Sequence, residues 1–132
     1  NAGLVPCQPY IVGTNDLIGG ERAATMWLSE EHPPKAIFCS NDMLAMGFIT
    51  TLLHHGVRIP EDVAVIGHDD IPFADLFKVG LTTVAYPKDE VGRIAINMLL
   101  HYMEHPQAKH QVDTITLESH LVVRESCGAK QH

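Results

Sequence analysis

Three polar clusters carry side chains able to hydrogen-bond a hydroxylated or heterocyclic small molecule: Asn15-Asp16, Asn41-Asp42 and His68-Asp69-Asp70. A carboxylate accepts two hydroxyl hydrogen bonds, and a primary amide both donates and accepts, which is the complement a sugar or nucleoside needs. Each cluster follows a short apolar run: Tyr10-Ile11-Val12, Ala36-Ile37-Phe38-Cys39 and Val63-Ala64-Val65-Ile66. In an open parallel sheet, ligands bind beyond the carboxyl ends of the strands, where such loops converge. Asn41 and Asp69 stand first or second past a buried strand and are the stronger ligand candidates. Asp16, Asp42 and Asp70 suit helix caps and turns, where aspartate is strongly preferred.

The intervening segments must position these groups. Tyr10-Ile11-Val12 reads as a strand leading into a turn at Gly13-Thr14-Asn15-Asp16. From Gly20 to about Glu30, the residues Ala23, Ala24, Trp27 and Leu28 recur at helical spacing, and Pro33-Pro34 forbids continuation. Ala36 to Cys39 reads as a second strand. Ser40-Asn41-Asp42 then offers caps to a helix carrying Met43, Leu44, Met46, Phe48, Ile49, Leu52 and Leu53, with Gly56 at its left-handed end. Pro60-Glu61-Asp62 turns the chain into the strand Val63 to Ile66. Apolar strands alternating with helices predict an α/β fold, a parallel sheet flanked by helices on both sides. Further on, Leu81 to Val84 reads as a strand or connector, Pro87 to His105 as a long helix, and Val112 to Arg124 as one long or two short strands.

The 132 residues are 45% hydrophobic with a mean hydropathy of +0.03, which suits one compact domain. A net charge of −7, from 16 acidic and 9 basic residues, gives no footprint for phosphate backbones. This segment alone is not expected to bind DNA. Cys7, Cys39 and Cys127 are too few and too widely spaced for a disulfide framework or a zinc site, and fit a reducing cytoplasm. No apolar run approaches the roughly 18 residues that span a bilayer, so no membrane partner is expected. The N-terminus lacks a signal-peptide pattern, and the abrupt start at Asn1-Ala2-Gly3 suggests a fragment.

Two motifs are tempting and are discounted. His101-Tyr102-Met103-Glu104-His105 matches the HxxEH arrangement of certain zinc peptidases, but Pro106 follows at once and no third ligand is evident. Asp69-Asp70 has two carboxylates but on adjacent residues, whereas glycoside hydrolysis needs them facing each other across about 5 to 9 Å. Phosphate-binding loops and nucleophile elbows are absent from the sequence. No enzymatic activity, metal or cofactor is expected.

The order of motifs resembles the LacI/GalR family of bacterial transcription regulators. Ala36-Ile37-Phe38-Cys39-Ser40-Asn41-Asp42 and Gly56-Val57-Arg58-Ile59-Pro60-Glu61-Asp62-Val63-Ala64-Val65-Ile66-Gly67-His68-Asp69-Asp70 look like two of its signature stretches. Leu81-Thr82-Thr83-Val84, Gly92 and Leu121-Val122-Val123-Arg124-Glu125-Ser126 are similar to three more, in unbroken order over nearly the whole chain.

This resemblance implies a periplasmic-binding-protein-like core of two lobes with an effector in the cleft, and a DNA-binding headpiece that this chain lacks. Roughly residues 1–80 and 112–126 would form the C-terminal lobe, and roughly 81–111 would return to the N-terminal lobe. Asn41 and Asp69 match cleft positions that hydrogen-bond effectors. Asn15 occupies a slot often held by a stacking aromatic, and His68 replaces the usual Tyr or Phe. The helix face of Val91, Ile94, Ala95, Met98, Leu99 and Tyr102 would lack its packing partner. Phe73, Leu76 and Phe77 either fold onto their own core or, with Met46 and Ile49, form a homodimer interface. The expected protein senses a sugar or related polar molecule and reaches operator DNA only through its headpiece. The main alternative is an extracytoplasmic sugar-binding protein of a transporter, and a less favoured one is a carbohydrate-active enzyme.

Overall fold

The computed structural model describes residues 8–75, 78–105 and 114–129. Helix α1 spans Leu17–Leu28, strand β1 Ala36–Phe38, helix α2 Asp42–His54, strand β2 Ala64–His68, strand β3 Thr82–Ala85, helix α3 Lys88–Glu104 and strand β4 His120–Val122. A short 3-10 turn, Glu125–Cys127, follows. The sheet order is β1-β2-β3-β4, with the first three strands parallel in the registers Ala36 to Ala64 and Ile66 to Thr82, and β4 antiparallel to β3. The α/β class expected from the sequence is the one observed, with an antiparallel edge strand added.

Helix ends obey local chemistry. Asp16 caps α1 by accepting from the Gly19 amide at 3.0 Å, and Asn41 caps α2 by accepting from the Leu44 amide at 2.8 Å. Helix α2 closes in a Schellman motif: Gly56 N–H donates to the Leu53 carbonyl and Val57 N–H to that of Leu52, with Gly56 at φ +77°. Glycine there avoids the Cβ clash of the left-handed region.

The core lies mainly between α2 and the sheet. Phe48, Ile49 and Leu52 of α2 are fully buried against Val63, Val65 and Leu81. Each such side chain contributes about 1.5–3 kcal/mol through apolar burial. Helix α1 packs on α2 through Ala24 and Trp27, whose indole N–H donates to the Pro34 carbonyl at 2.9 Å and so is not left unsatisfied. At this crossing Gly20 meets the backbone of Leu44, Gly47 and Phe48, and Gly47 meets the backbone of Leu17, leaving no space for a Cβ at either glycine.

Several local expectations need correction. Residues 10–12 form no strand; Tyr10 and Val12 pack against the core while Ile11 is exposed. The run is only three residues long, bounded by Pro9, which has no N–H to donate, and by Gly13 at φ +79°, which ends the extended backbone. Helix α1 starts three residues earlier than its apolar periodicity suggests, because the Asp16 cap outweighs the poor propensity of Gly19 and Gly20. Strand β1, expected to be buried on both faces, is the edge of the described sheet, and Phe38 is 63% exposed. Of the stretch 112–124, only β4 is strand; residues 114–119 are irregular, and 112 and 113 lie outside the described residues. Helix α3 buries none of its residues; Val91 and Leu99 are exposed as expected, and an apolar groove runs between α3 and residues 114–117.

Candidate functional site

The three polar clusters meet at the carboxyl ends of β1 and β2, joined by two adjacent side chains at the start of α2. Asn41 accepts from the Leu44 amide through Oδ1 and donates from Nδ2 to the Asn15 carbonyl at 3.1 Å. It thereby ties the loop before α1 to the loop after β1. Asp42, wholly buried, accepts from Thr83 Oγ1 at 2.6 Å and from the Ile71 amide at 2.9 Å, tying α2 to β3 and to the turn after β2. Strand β2 passes close beneath: a Cβ at Gly67 would collide with Asp42 Oδ1. Glycine at this point is therefore a packing requirement.

The turn after β2 holds Asp69 at φ +113° and Asp70 at φ +47°. Non-glycine residues in the left-handed region cost about 1–3 kcal/mol each and persist only where surroundings over-determine them. Here the surroundings are explicit. The Asp69 amide donates to the Val84 carbonyl at 2.9 Å, and the Asp70 amide to Thr83 Oγ1 at 3.3 Å. Lys88 Nζ donates to the Asp70 carbonyl at 3.0 Å. Arg124 Nη2 donates to Asp70 Oδ1 at 2.9 Å while its Nη1 reaches the Leu81 carbonyl, and Asp75 lies 3.5 Å from its Nε. Asp70 is thus spent on structure. The Asp69 carboxylate, 30% exposed, meets only His68 Nδ1 among the described ion pairs, at 3.0 Å.

Asn41, Asp69 and Asn15 thus belong to loops that the fold brings together, although the Asn41 side chain also serves as a helix cap. Asn15 is exposed, and its backbone carbonyl is what Asn41 engages. Asp16 caps α1 as its position suggested, whereas Asp42 is structural not as a cap but as a buried acceptor for Thr83 and the Ile71 amide. Sequence reasoning missed the partners of the turn: Thr83, Lys88 and Arg124. A buried threonine pair, Thr82-Thr83, inside an otherwise apolar strand was the available signal, since a buried hydroxyl needs an acceptor.

Of the residues assigned to a dimer surface, Phe73 is 63% exposed and Met46 half-buried. Ile49 is corrected: it is fully buried in this chain's own core, on the face of α2 shared with Ala45 and Leu52, and offers a second copy nothing to touch. Leu76 and Phe77 lie outside the described residues.

Chemistry other than hydrogen bonding finds little support here. Burial, aided by the nearby Asp42 carboxylate, pushes the Cys39 thiol up to about 12, so it stays protonated and is no nucleophile at neutral pH. The His101 and His105 rings lie 4.6 Å apart, tilted by 30°, at the end of α3. Among the described residues no three His, Cys, Asp or Glu side chains group as metal ligands would.

Three parallel strands, β1 joined to β2 through α2, with a polar edge assembled beyond the carboxyl ends of β1 and β2, define an open-sheet α/β domain of the class that presents ligand groups along that edge. The chain belongs to the periplasmic binding protein-like domain family, whose model matches residues 1–127. It is 37% identical over 122 residues to the HTH-type transcriptional repressor PurR of Klebsiella pneumoniae strain 342, covering 92% of this chain and 35% of that protein. The PurR of Photobacterium profundum is 35% identical over 126 residues, covering 95% and 37%. A putative LacI-family regulator from Sanguibacter keddieii superposes with a TM-score of 0.79 at 34% identity, over 89% of this chain and 45% of that one. A LacI family regulator from Lactobacillus casei with bound glucose gives 0.69 at 31%, over 84% and 39%. The chain spans about a third of the length of these curated relatives. The LacI/GalR resemblance read from the motifs is therefore borne out.

Proposed function

We infer that this chain is the effector-sensing part of a LacI-type transcription regulator, and that a sugar or similar polar molecule is held by Asp69 and Asn41, with Asn15 at the rim. One observation carries the reading: Asp69 is fixed in a costly left-handed turn at the sheet edge, with its carboxylate accessible, while every neighbouring acid is committed to structure. Strain maintained by so many contacts is characteristic of a site rather than of a surface turn. The Lactobacillus casei regulator is similar in fold and holds glucose in one structure and sucrose in another.

Residues of roughly 1–80 and 112–126 would belong to one lobe, and roughly 81–111 to the segment returning to the other, which would cover the exposed apolar face of α3. Effector binding would favour one lobe orientation, and only differential affinity for the two orientations can transmit a signal. A homodimer would use Met46, Phe73, Leu76 and Phe77, and DNA would be reached through a separate headpiece. The protein would work in the cytoplasm and catalyse nothing; its curated relatives are repressors. Among the described residues no helix is long and apolar enough to cross a membrane.

Thermal-shift measurements on the full-length protein with glucose, sucrose, ribose and hypoxanthine test this reading, with Asp69→Ala in parallel. A compound that binds only the native state at about 100 times its Kd adds roughly 2.7 kcal/mol of stability. Stabilisation of the parent and not of Asp69→Ala supports the assignment. Equal stabilisation of both removes Asp69 from the site.

A further inference from the structure

Beside Asp69 stands a histidine held by a second ring. His68 ends β2, paired in register with Val84 of β3. Its ring stacks on Tyr86, with centroids 5.5 Å apart and planes inclined by 28°, and Lys88 Nζ lies 5.5 Å from the Tyr86 ring centre. The same lysine donates to the Asp70 carbonyl, so the platform under the imidazole is anchored to the turn that carries Asp69. From this half-buried position His68 Nδ1 lies 3.0 Å from Asp69 Oδ1. An ionised carboxylate can only accept, so this contact requires the proton to sit on Nδ1.

We propose that His68 is a positioning residue for the ligand site: its Nδ1–H holds one oxygen of Asp69, the Tyr86 stack holds the imidazole, and whenever the imidazole is neutral the pair presents only acceptors to a ligand. This rests on the reading of Asp69 as a ligand group. With Oδ1 engaged, a single carboxylate oxygen faces the ligand unshared, and a neutral imidazole protonated on Nδ1 has only a bare Nε2 left to offer. The ligand class that fits is one rich in hydroxyl or amine donors. An anionic ligand such as a sugar phosphate finds no donor in this pair.

The test begins without any ligand. Full-length protein labelled with 15N-histidine is observed at pH 8.5 by long-range 1H–15N correlation, which distinguishes the two imidazole tautomers. His68 is expected to be protonated on Nδ1 in the parent and to move toward the Nε2–H form in Asp69→Ala. A bare Nδ1 in the parent, or an unchanged tautomer in the variant, overturns the proposal.

The second readout compares His68→Phe, which keeps a ring to stack on Tyr86 but cannot donate, with His68→Asn, which restores a donor amide. For whichever of glucose, sucrose and ribose binds the parent, the Phe variant should bind about three- to tenfold more weakly and the Asn variant should recover most of the loss. Equal affinity of all three proteins overturns the positioning role. If none of these sugars binds the parent, the sugar-sensing reading fails by itself, and the tautomer measurement still decides whether His68 holds Asp69.

Discussion

Thr83 Oγ1 donates to Asp42 Oδ1 at 2.6 Å, with both residues completely shielded from water. Because Asp42 also accepts from the Ile71 amide, one carboxylate links helix α2, strand β3 and the chain leaving the turn at Asp69-Asp70. Asp42→Ala would strand a buried hydroxyl and a backbone N–H, each costing about 1–3 kcal/mol when left unmade. The expected outcome is a loss of stability of that order in urea unfolding. Thr83→Val should cost less on its own, and far less when combined with Asp42→Ala than the sum of the two. Additive losses would show that the pair does not act as a unit.

Gly20 and Gly47 set the separation of α1 and α2. Alanine at a helix interior normally gains about 1 kcal/mol over glycine through propensity. At Gly47 the added Cβ meets the Leu17 backbone, which cannot swing aside as a side-chain tip would. Overpacking of this kind costs about 1–3 kcal/mol, so the steric loss should exceed the propensity gain and Gly47→Ala should unfold at lower temperature. Gly56→Ala is a useful contrast. Space there is open, and any loss comes from φ +77° alone.

These two relationships also show what a sequence can reveal about such a fold. Strand β2 and helix α2 were legible because apolar pattern, cap residues and Gly56 all agreed, and α3 from its hydrophobic period alone, whereas β3 read equally as a strand or a connector. The start of α1 was hidden, since the apolar period becomes regular only after Gly20, while the helix is set three residues earlier by the Asp16 cap. The convergence of the polar loops was legible from polar residues placed after apolar runs. Its internal wiring was not: Asp42, Thr83 and Arg124 are far apart in the chain, and which aspartate is tied down and which is open depends on those distant partners. Asn41 illustrates the ambiguity, because an amide suited to a ligand is equally suited to a cap.

The connection into β2 holds a carboxylate well below the usual range. Hydrogen bonds from the Arg58 guanidinium, then from its backbone N–H, hold Asp62 down at about 2, against an ordinary 3.8. A carboxylate with a depressed folded-state value stabilises the fold above its unfolded pKa, and loses that contribution as pH falls through the folded one. Between about pH 4 and 2 the Arg58–Asp62 clasp should therefore release. Carboxyl 13C titration should place the Asp62 midpoint near 2 in the parent and closer to 3.8 in Arg58→Met, although the backbone donor remains. A midpoint unmoved by that substitution would contradict the arginine as the main cause. The pair is exposed, so salt should weaken it.

Capping and ligand binding at Asn41 can be separated by choosing what each substitution preserves. Asn41→Asp keeps an oxygen to accept from the Leu44 amide, and an added negative charge is welcome at a helix N-terminus, but the donor to the Asn15 carbonyl is lost. Asn41→Ala loses both and should cost about 1 kcal/mol of stability, the ordinary value of a missing cap. If Asn41 serves only the fold, the Asp variant should unfold between the parent and Asn41→Ala, since the cap survives and the Asn15 contact does not, and should match the parent in affinity for any sugar the parent binds. If its amide also reaches the ligand, the Asp variant should show the same intermediate stability yet bind more weakly, because a carboxylate cannot donate to a ligand oxygen. Stability and affinity measured on the same two variants therefore assign the side chain to one role or to both.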